Sequence, residues 1–173
     1  RASAARVARP LLPWLPMSVL RPLTLADLDE LLVVQREGAV EALGHIFPQD
    51  QNPFPTERIR ERWLAELADP AVDCFAVVLH RRIAGFAATR GEEFLHLGTA
   101  RDTWGSGLAE QVHDAVLDHL RAGGHTHARL RVLVENARAI RFYTRLGWRP
   151  TGVTERTDFA PHPLLRVYER DLA

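Results

Sequence analysis

The segment Trp104-Gly105-Ser106-Gly107-Leu108-Ala109 joins a strand-like stretch, Glu93 to Ala100, to a helical pattern that begins at Leu108. A strand that turns through small residues into a helix aims several backbone N–H groups and the positive end of a helix dipole at one point. The chemistry on offer is anion binding, most often of a phosphate. Side chains at Gly105 or Gly107 would hold phosphate oxygens away from the backbone. Two familiar phosphate turns do not fit. A P-loop carries Lys-Ser or Lys-Thr after its last glycine, where this chain has Leu108-Ala109. A dinucleotide turn opens a βαβ unit with an acidic residue about twenty positions on, and Glu135 falls late for that.

Other reactive side chains are scattered. Tyr143 follows Phe142 on a helical pattern, and a buried phenol there needs a polar partner for its OH; on the surface it would be an ordinary amphipathic tyrosine. Glu92, Glu93 and His96 gather two carboxylates and an imidazole at the start of one strand, residue types able to serve as a general base. His119, His125 and His127 lack the cysteine or carboxylate that would complete a zinc set, so no metal site is expected. Cys74 is the only cysteine and runs into Phe75-Ala76-Val77-Val78, which reads as a buried, inert thiol. It can form no internal disulfide, and a reducing cytoplasmic compartment is its natural setting.

The elements that must position these groups follow from periodicity. A short strand around Val19 to Leu23 precedes Thr24, which with Asp27 three residues on forms a capping box for a helix burying Leu28, Leu31 and Leu32. Residues 44–55 hold three prolines and two aromatics, which excludes helix and predicts a covering loop. Thr56 is expected to cap a second helix, with Ile59, Trp63 and Leu67 on one stripe. Cys74 to Leu79 and Ile83 to Thr89 read as a hairpin buried on both faces. After Glu93 to Ala100 come a helix from Leu108 to Leu120, a strand from Ala128 to Val134, a helix opened by Asn136 with Ala139, Phe142 and Leu146 toward the sheet, and two strands, Trp148 to Thr157 and Leu164 to Arg170. The order is β-α-α-β-β-β-α-β-α-β-β. Residues 1–17, broken by Pro10, Pro13 and Pro16, read as an irregular extension, and residues 18–173 as one domain.

The glycine turn resembles the pyrophosphate-binding turn of the GNAT acetyltransferases, although the arginine or glutamine that the family usually carries ahead of the glycines is missing. The run from Asn136 to Trp148 resembles the family's second block, with Asn136, Ala139, Phe142, Tyr143, Gly147 and Trp148 at its spacing. The resemblance implies an α/β fold: a mixed sheet of about seven strands with a splayed parallel pair, flanked by about four helices. It also implies acetyl-CoA as acyl donor. Leu97, Gly98 and Thr99 would meet the pantetheine arm, the backbone from Trp104 through Gly105, Ser106, Gly107 and Leu108 to Ala109 the pyrophosphate, and Asn136, Ala139 and Phe142 the remaining wall. Tyr143 would protonate the leaving thiolate, and Glu93 matches the position where a glutamate sometimes serves as base. The expected reaction is direct attack on the thioester by a primary amine in a ternary complex, with a small molecule as acceptor. A peptide or protein N-terminus is the alternative acceptor, and a non-catalytic acyl-CoA sensor the alternative role.

Charge narrows the partners. The 22 acidic and 22 basic residues cancel, so no net field draws in nucleic acid or an anionic membrane, and neither is expected as a partner. A monomer or a homodimer is expected. Every basic residue other than histidine is arginine, so the chain has no lysine side chain of its own to acylate.

Overall fold

The computed structural model describes residues 19–173, and the extension expected over residues 1–17 lies outside them. The chain runs β1 (Leu20–Pro22), α1 (Leu28–Leu43), α2 (Thr56–Ala68), β2 (Val72–Leu79), β3 (Arg82–Arg90), β4 (Glu93–Thr99), α3 (Leu108–Ala122), β5 (His127–Leu133), α4 (Ala137–Arg145), β6 (Arg149–Arg156) and β7 (Leu164–Asp171). This is the order expected from the sequence. The strands form one sheet, β1-β2-β3-β4-β5-β7-β6, in which only β4 and β5 run parallel. That architecture is the expected α/β fold with a splayed parallel pair.

Two apolar layers cover the sheet. On one face α3 packs Leu108, Val112, Val116, Leu117 and Leu120 against Val77, Phe94, Leu130 and Trp148. On the other, α1 and α2 bring Leu28, Leu31, Leu32, Ile59 and Trp63 onto Cys74, Ala76, Phe86 and Ala88. Complete burial of a side chain of this size is worth about 1.5–3 kcal/mol, and Trp63 and Trp148 anchor the two layers at 0% and 1% exposure. The strands β2 and β3 feed both layers, which is why their sequences are apolar on both alternating faces.

Several local expectations need correcting. The capping box is present, with the Thr24 N–H donating to Asp27 Oδ2 at 2.8 Å; it closes a short 3-10 turn, Leu25–Asp27, that leads into α1. Asp27 also accepts from Arg21, which holds its carboxyl far below the usual carboxylate range. Thr56 is the first residue of α2 and does not cap it, because Pro55 occupies the cap position and offers no side-chain acceptor. On α4 the sheet-facing side is turned: Ile140, Tyr143 and Leu146 join Ala139 against the core, while Phe142 lines a cleft.

Candidate active site

The cleft exists because β4 and β5 part. They are registered at one position, Glu93 with Arg129, and beyond it the strands diverge around a cavity of about 450 Å³. The open edge of β4 supplies polar backbone. The Ala100 N–H donates to Ala84 O at 2.7 Å on the β3 side, so strand alternation turns the N–H and C=O of Thr99 and Leu97 toward the gap. The Thr99 carbonyl is indeed met there by the indole N–H of Trp104, at 3.1 Å. Gly98 between them is required by a close approach, since a Cβ would fall 2.2 Å from the Phe86 ring.

At the mouth of the gap the glycine turn leads into α3, with Gly107 at φ +88°. The expected run of donors from Trp104 to Ala109 is only half available. The Trp104 and Ser106 N–H groups donate to Arg101 O and Thr103 O at 3.2 and 3.1 Å, and Leu108 N–H donates to Ser106 Oγ at 3.3 Å. Among the described residues, the N–H groups of Gly105, Gly107, Ala109 and Glu110 have no protein acceptor. They are the first-turn donors that a phosphate completes. The turn is roofed by Trp104, over which the Arg138 guanidinium stacks 3.5 Å from the ring centroid.

One wall of the cleft is α4. Asn136 accepts from the Ala139 N–H at 3.1 Å and so caps this nine-residue helix. Tyr143 reaches the cavity with its ring held edge-on by Phe142 and Trp148, at centroid distances of 5.1 and 6.0 Å. Burial raises its phenol well above the ordinary value, so the hydroxyl stays protonated. Behind it His113 is wholly buried; its Nε2 accepts from the Trp148 indole at 2.9 Å and its Nδ1–H donates to Asp114 at 2.8 Å, and burial lowers its pKa. This imidazole is a neutral strut.

The facing wall was only partly foreseen. His96 lines the cleft and packs edge-on against Trp63, 5.0 Å between centroids. Its Nε2 lies 2.8 and 2.9 Å from the two carboxylate oxygens of Glu66 on α2. Burial pulls the His96 pKa down, with Glu66 and the Leu95 backbone opposing, so at neutral pH the ring is uncharged and its Nε2–H donates to the carboxylate. Gln35 of α1 also lines the cleft, with its carbonyl bonded by the Trp63 indole at 2.8 Å. Glu66 and Gln35 were missed; the available signal was a carboxylate three residues after Trp63, on the flank of an apolar stripe.

Glu93, expected as the first choice of base, stands elsewhere. It sits where β4 and β5 are still paired, ion-paired with Arg131 at 2.5 Å, and lines a separate cavity of about 320 Å³ with Glu155 and Glu169. The physical reason is a bulge: pairing passes from Thr89–Phe94 to Ala88–His96, so Leu95 is extra and His96 turns toward α2. His45, in the loop after α1, bonds Glu135 O at 2.9 Å. His119 and His127 pair separately with Asp73 and Asp171.

A splayed parallel pair above a glycine turn, with a tyrosine on the adjoining helix, defines a class of acyl-transferring folds, and comparison with known proteins agrees. Residues 37–148 match the model of the acetyltransferase (GNAT) family, and the chain belongs to that family. It is 38% identical over 93 residues to mycothiol acetyltransferase of Saccharopolyspora erythraea, across 50% of this chain and 29% of that protein. The matched stretch is therefore under a third of that relative. Among solved structures, the spermidine N-acetyltransferase of Vibrio cholerae, in complex with CoA and spermine, superposes with TM-score 0.67 at 18% identity, over 88% of this chain and 94% of that one. The PaiA N-acetyltransferase of Thermoplasma acidophilum, in complex with coenzyme A, gives 0.65 at 17%, over 88% and 97%. At these identities the two show the fold.

Proposed function

We propose that the chain transfers an acetyl group from acetyl-CoA to a primary amine by direct attack in a ternary complex. The observation that carries this reading is the arrangement of the gap: open backbone of β4 along its floor, Tyr143 on one wall and His96, held by Glu66, on the other. Leu97 and Thr99 offer the N–H and C=O groups a pantetheine arm needs, and the free N–H groups at the start of α3 suit its pyrophosphate. An N–H on the open edge of β4 serves as the donor that polarises the thioester carbonyl.

In the proposed reaction the amine nitrogen forms a bond to the carbonyl carbon as the C–S bond breaks. His96 receives the proton from the amine, with Glu66 stabilising the imidazolium that results. Tyr143, held protonated by burial, gives its proton to the departing sulfur. No enzyme nucleophile enters, and Cys74, buried and pushed up to about 11, is unsuited to be one. Glu93 remains a charged residue at the strand start, paired with Arg131.

A small acceptor is favoured by the covering loops. Phe54 and Phe159, from the α1–α2 and β6–β7 connections, both pack on the α1–α2 layer. The deciding experiment is thiol release from acetyl-CoA against amines, amino acids, polyamines, aminoglycosides and short peptides. Turnover with a small amine supports the reading. CoA binding without thiol release from any member would replace it with a sensor, and turnover confined to peptides would replace the acceptor class.

A further inference from the structure

The stripe of α1 that lines the cleft, Val34, Gln35, Gly38, Ala39, Ala42 and Leu43, recurs at helical spacing and is apolar except for Gln35. The lone amide on this wall is held in one orientation. Its Oε1 accepts from the Trp63 indole N–H at 2.8 Å, and Trp63 is fully buried. An indole N–H only donates, and a side-chain amide has one acceptor atom. The oxygen of Gln35 must therefore face Trp63, because the reverse orientation would set two donors against each other. The NH2 group is turned away from the indole. Among the described residues its nitrogen has no hydrogen-bond partner. Nor is it sealed off, since Arg62 Nε is the one fully buried side-chain nitrogen or oxygen left without a partner among them.

Trp63 also meets the His96 ring edge-on, 5.0 Å between centroids. One tryptophan thus places a neutral donor and the group proposed to take the amine's proton along the same cleft. The arginines that line the cleft are engaged elsewhere, Arg131 with Glu93 and Glu155 and Arg138 over the Trp104 ring. A donor whose direction is fixed before binding loses little freedom when it meets a partner. Water serves such a donor, so a ligand oxygen that displaces the water keeps the hydrogen bond, whereas a methyl group in the same place forfeits it.

We infer that Gln35 selects the acceptor: its NH2 group donates to a neutral oxygen, a hydroxyl or an amide carbonyl, carried a few bonds from the amine that is acetylated. This rests on the acetyl-transfer reading above and names its substrate class, which leaves out plain alkylamines and polyamines. The amine meets His96 while the oxygen meets Gln35, and Trp63 fixes the spacing between them.

The test measures thiol release by the wild type, Gln35→Glu and Gln35→Met. Ethanolamine beside propylamine probes the hydroxyl; glycinamide beside isobutylamine and β-alaninamide beside isopentylamine probe the carbonyl. The best acceptor from the amine screen enters beside its own analogue with the oxygen replaced by carbon. Glutamate keeps the acceptor that Trp63 needs and loses the donor, and methionine keeps the length and loses both. An oxygen near the amine lowers its basicity equally in every variant, so the quantity read is the change in the kcat/KM ratio of the oxygen-bearing to the alkyl member. Both members of a pair carry the same ionisable amine, so the charge that glutamate adds acts on both alike. In at least one pair this ratio should fall by about fivefold in Gln35→Glu, the usual net worth of one hydrogen bond, with most of the loss in the Michaelis constant for the acceptor. Gln35→Met should lower the same ratio, and the pair that responds tells hydroxyl from carbonyl. CoA binding by each variant checks its fold. Should Gln35→Glu fail that check, Gln35→Met decides; should both fail, calorimetry on the wild type loaded with CoA decides, where the oxygen-bearing member of a pair should bind the more tightly. Ratios unchanged for every pair in a folded variant, equal binding of both members, or turnover confined to amines without oxygen would overturn the inference and leave acetyl transfer standing. Acetyl-CoA binding with no thiol release from any amine would overturn both.

Discussion

The two walls of the cleft are built by opposite means. The side proposed for the acyl donor is made of backbone and one contiguous helix: free N–H groups at the start of α3, the open edge of β4, and Tyr143 on α4. The opposing side is made of side chains far apart in sequence, with Gln35, Glu66 and His96 converging from α1, α2 and β4. Backbone chemistry depends on where the chain turns and tolerates many side chains. Side-chain chemistry depends on which residues meet, and can be retuned by single substitutions without disturbing the cofactor side.

The largest expected effect lies on the side-chain wall. His96→Gln keeps a polar side chain of similar reach and removes the proton acceptor, so kcat should fall by about 10²- to 10⁴-fold, the usual worth of a positioned base. CoA affinity should change little. The pH profile sharpens the assignment. Burial lowers the His96 pKa from its ordinary 6.5, so the wild-type acid limb of kcat should lie below pH 6.5, with activity rising as the ring loses its proton. In the variant that limb should vanish. The same linkage has a stability sign: protonation is disfavoured in the folded state, so this residue's contribution is complete above 6.5 and declines as pH falls toward the lowered pKa. An unchanged acid limb in His96→Gln would return the base to a water molecule or to another group.

Tyr143→Phe tests the other wall. The ring and its contacts with Phe142 and Trp148 remain and only the hydroxyl is lost. Turnover should drop toward the lower end of the same range or somewhat below it, since water partly substitutes. The Michaelis constant for the amine should barely move, the pattern of an interaction made mainly in the transition state. A collapse of CoA affinity instead would make Tyr143 a donor contact.

What the sequence disclosed follows the same division. The strand order, the capping box at Thr24 and the glycine turn were legible because each is a local pattern with a local cause. The half-use of the turn's donors was not, because Ser106 Oγ and the carbonyls of Arg101 and Thr103 compete for them only once the turn is closed. Glu93 and His96 lie three residues apart, and their roles depend on the bulge at Leu95, which no spacing rule announces. Glu66 reads as one more charge on a helix until α2 is laid across β4.

A backbone-built site should fail when the backbone is displaced and ignore the same lesion elsewhere. Gly107 and Gly91 both have positive φ, +88° and +55°, and at neither would an added Cβ meet any atom within 4 Å. Leucine at either position therefore carries a similar conformational cost, and the two differ in what lies beside them. Gly107→Leu should weaken CoA binding by about tenfold or more, roughly 1.4 kcal/mol, while Gly91→Leu should alter it little. Equal losses measured by calorimetry would mean that the phosphates lie somewhere else.

The smallest expected effect separates a structural role from a binding role at Asn136. The resemblance makes this residue part of the donor wall, but its side-chain oxygen is occupied by the Ala139 N–H, the orphan donor at the start of α4. A nine-residue helix gains little from propensity alone, so its cap matters. Asn136→Ala should lower stability by about 1 kcal/mol, which for a domain of this size is a fall of about 2–4 °C in Tm. Asn136→Asp, which retains the acceptor and adds favourable charge at the helix N-terminus, should recover most of it. The Michaelis constant for acetyl-CoA should move little in either variant, and turnover should dip only as far as α4 loosens its hold on Tyr143. Thermal unfolding and steady-state kinetics on both variants make the distinction. An unchanged Tm together with a sharp rise in that constant would show that Asn136 meets the donor directly, and the backbone-built side of the cleft would then include, beside Tyr143, a second side chain whose identity matters.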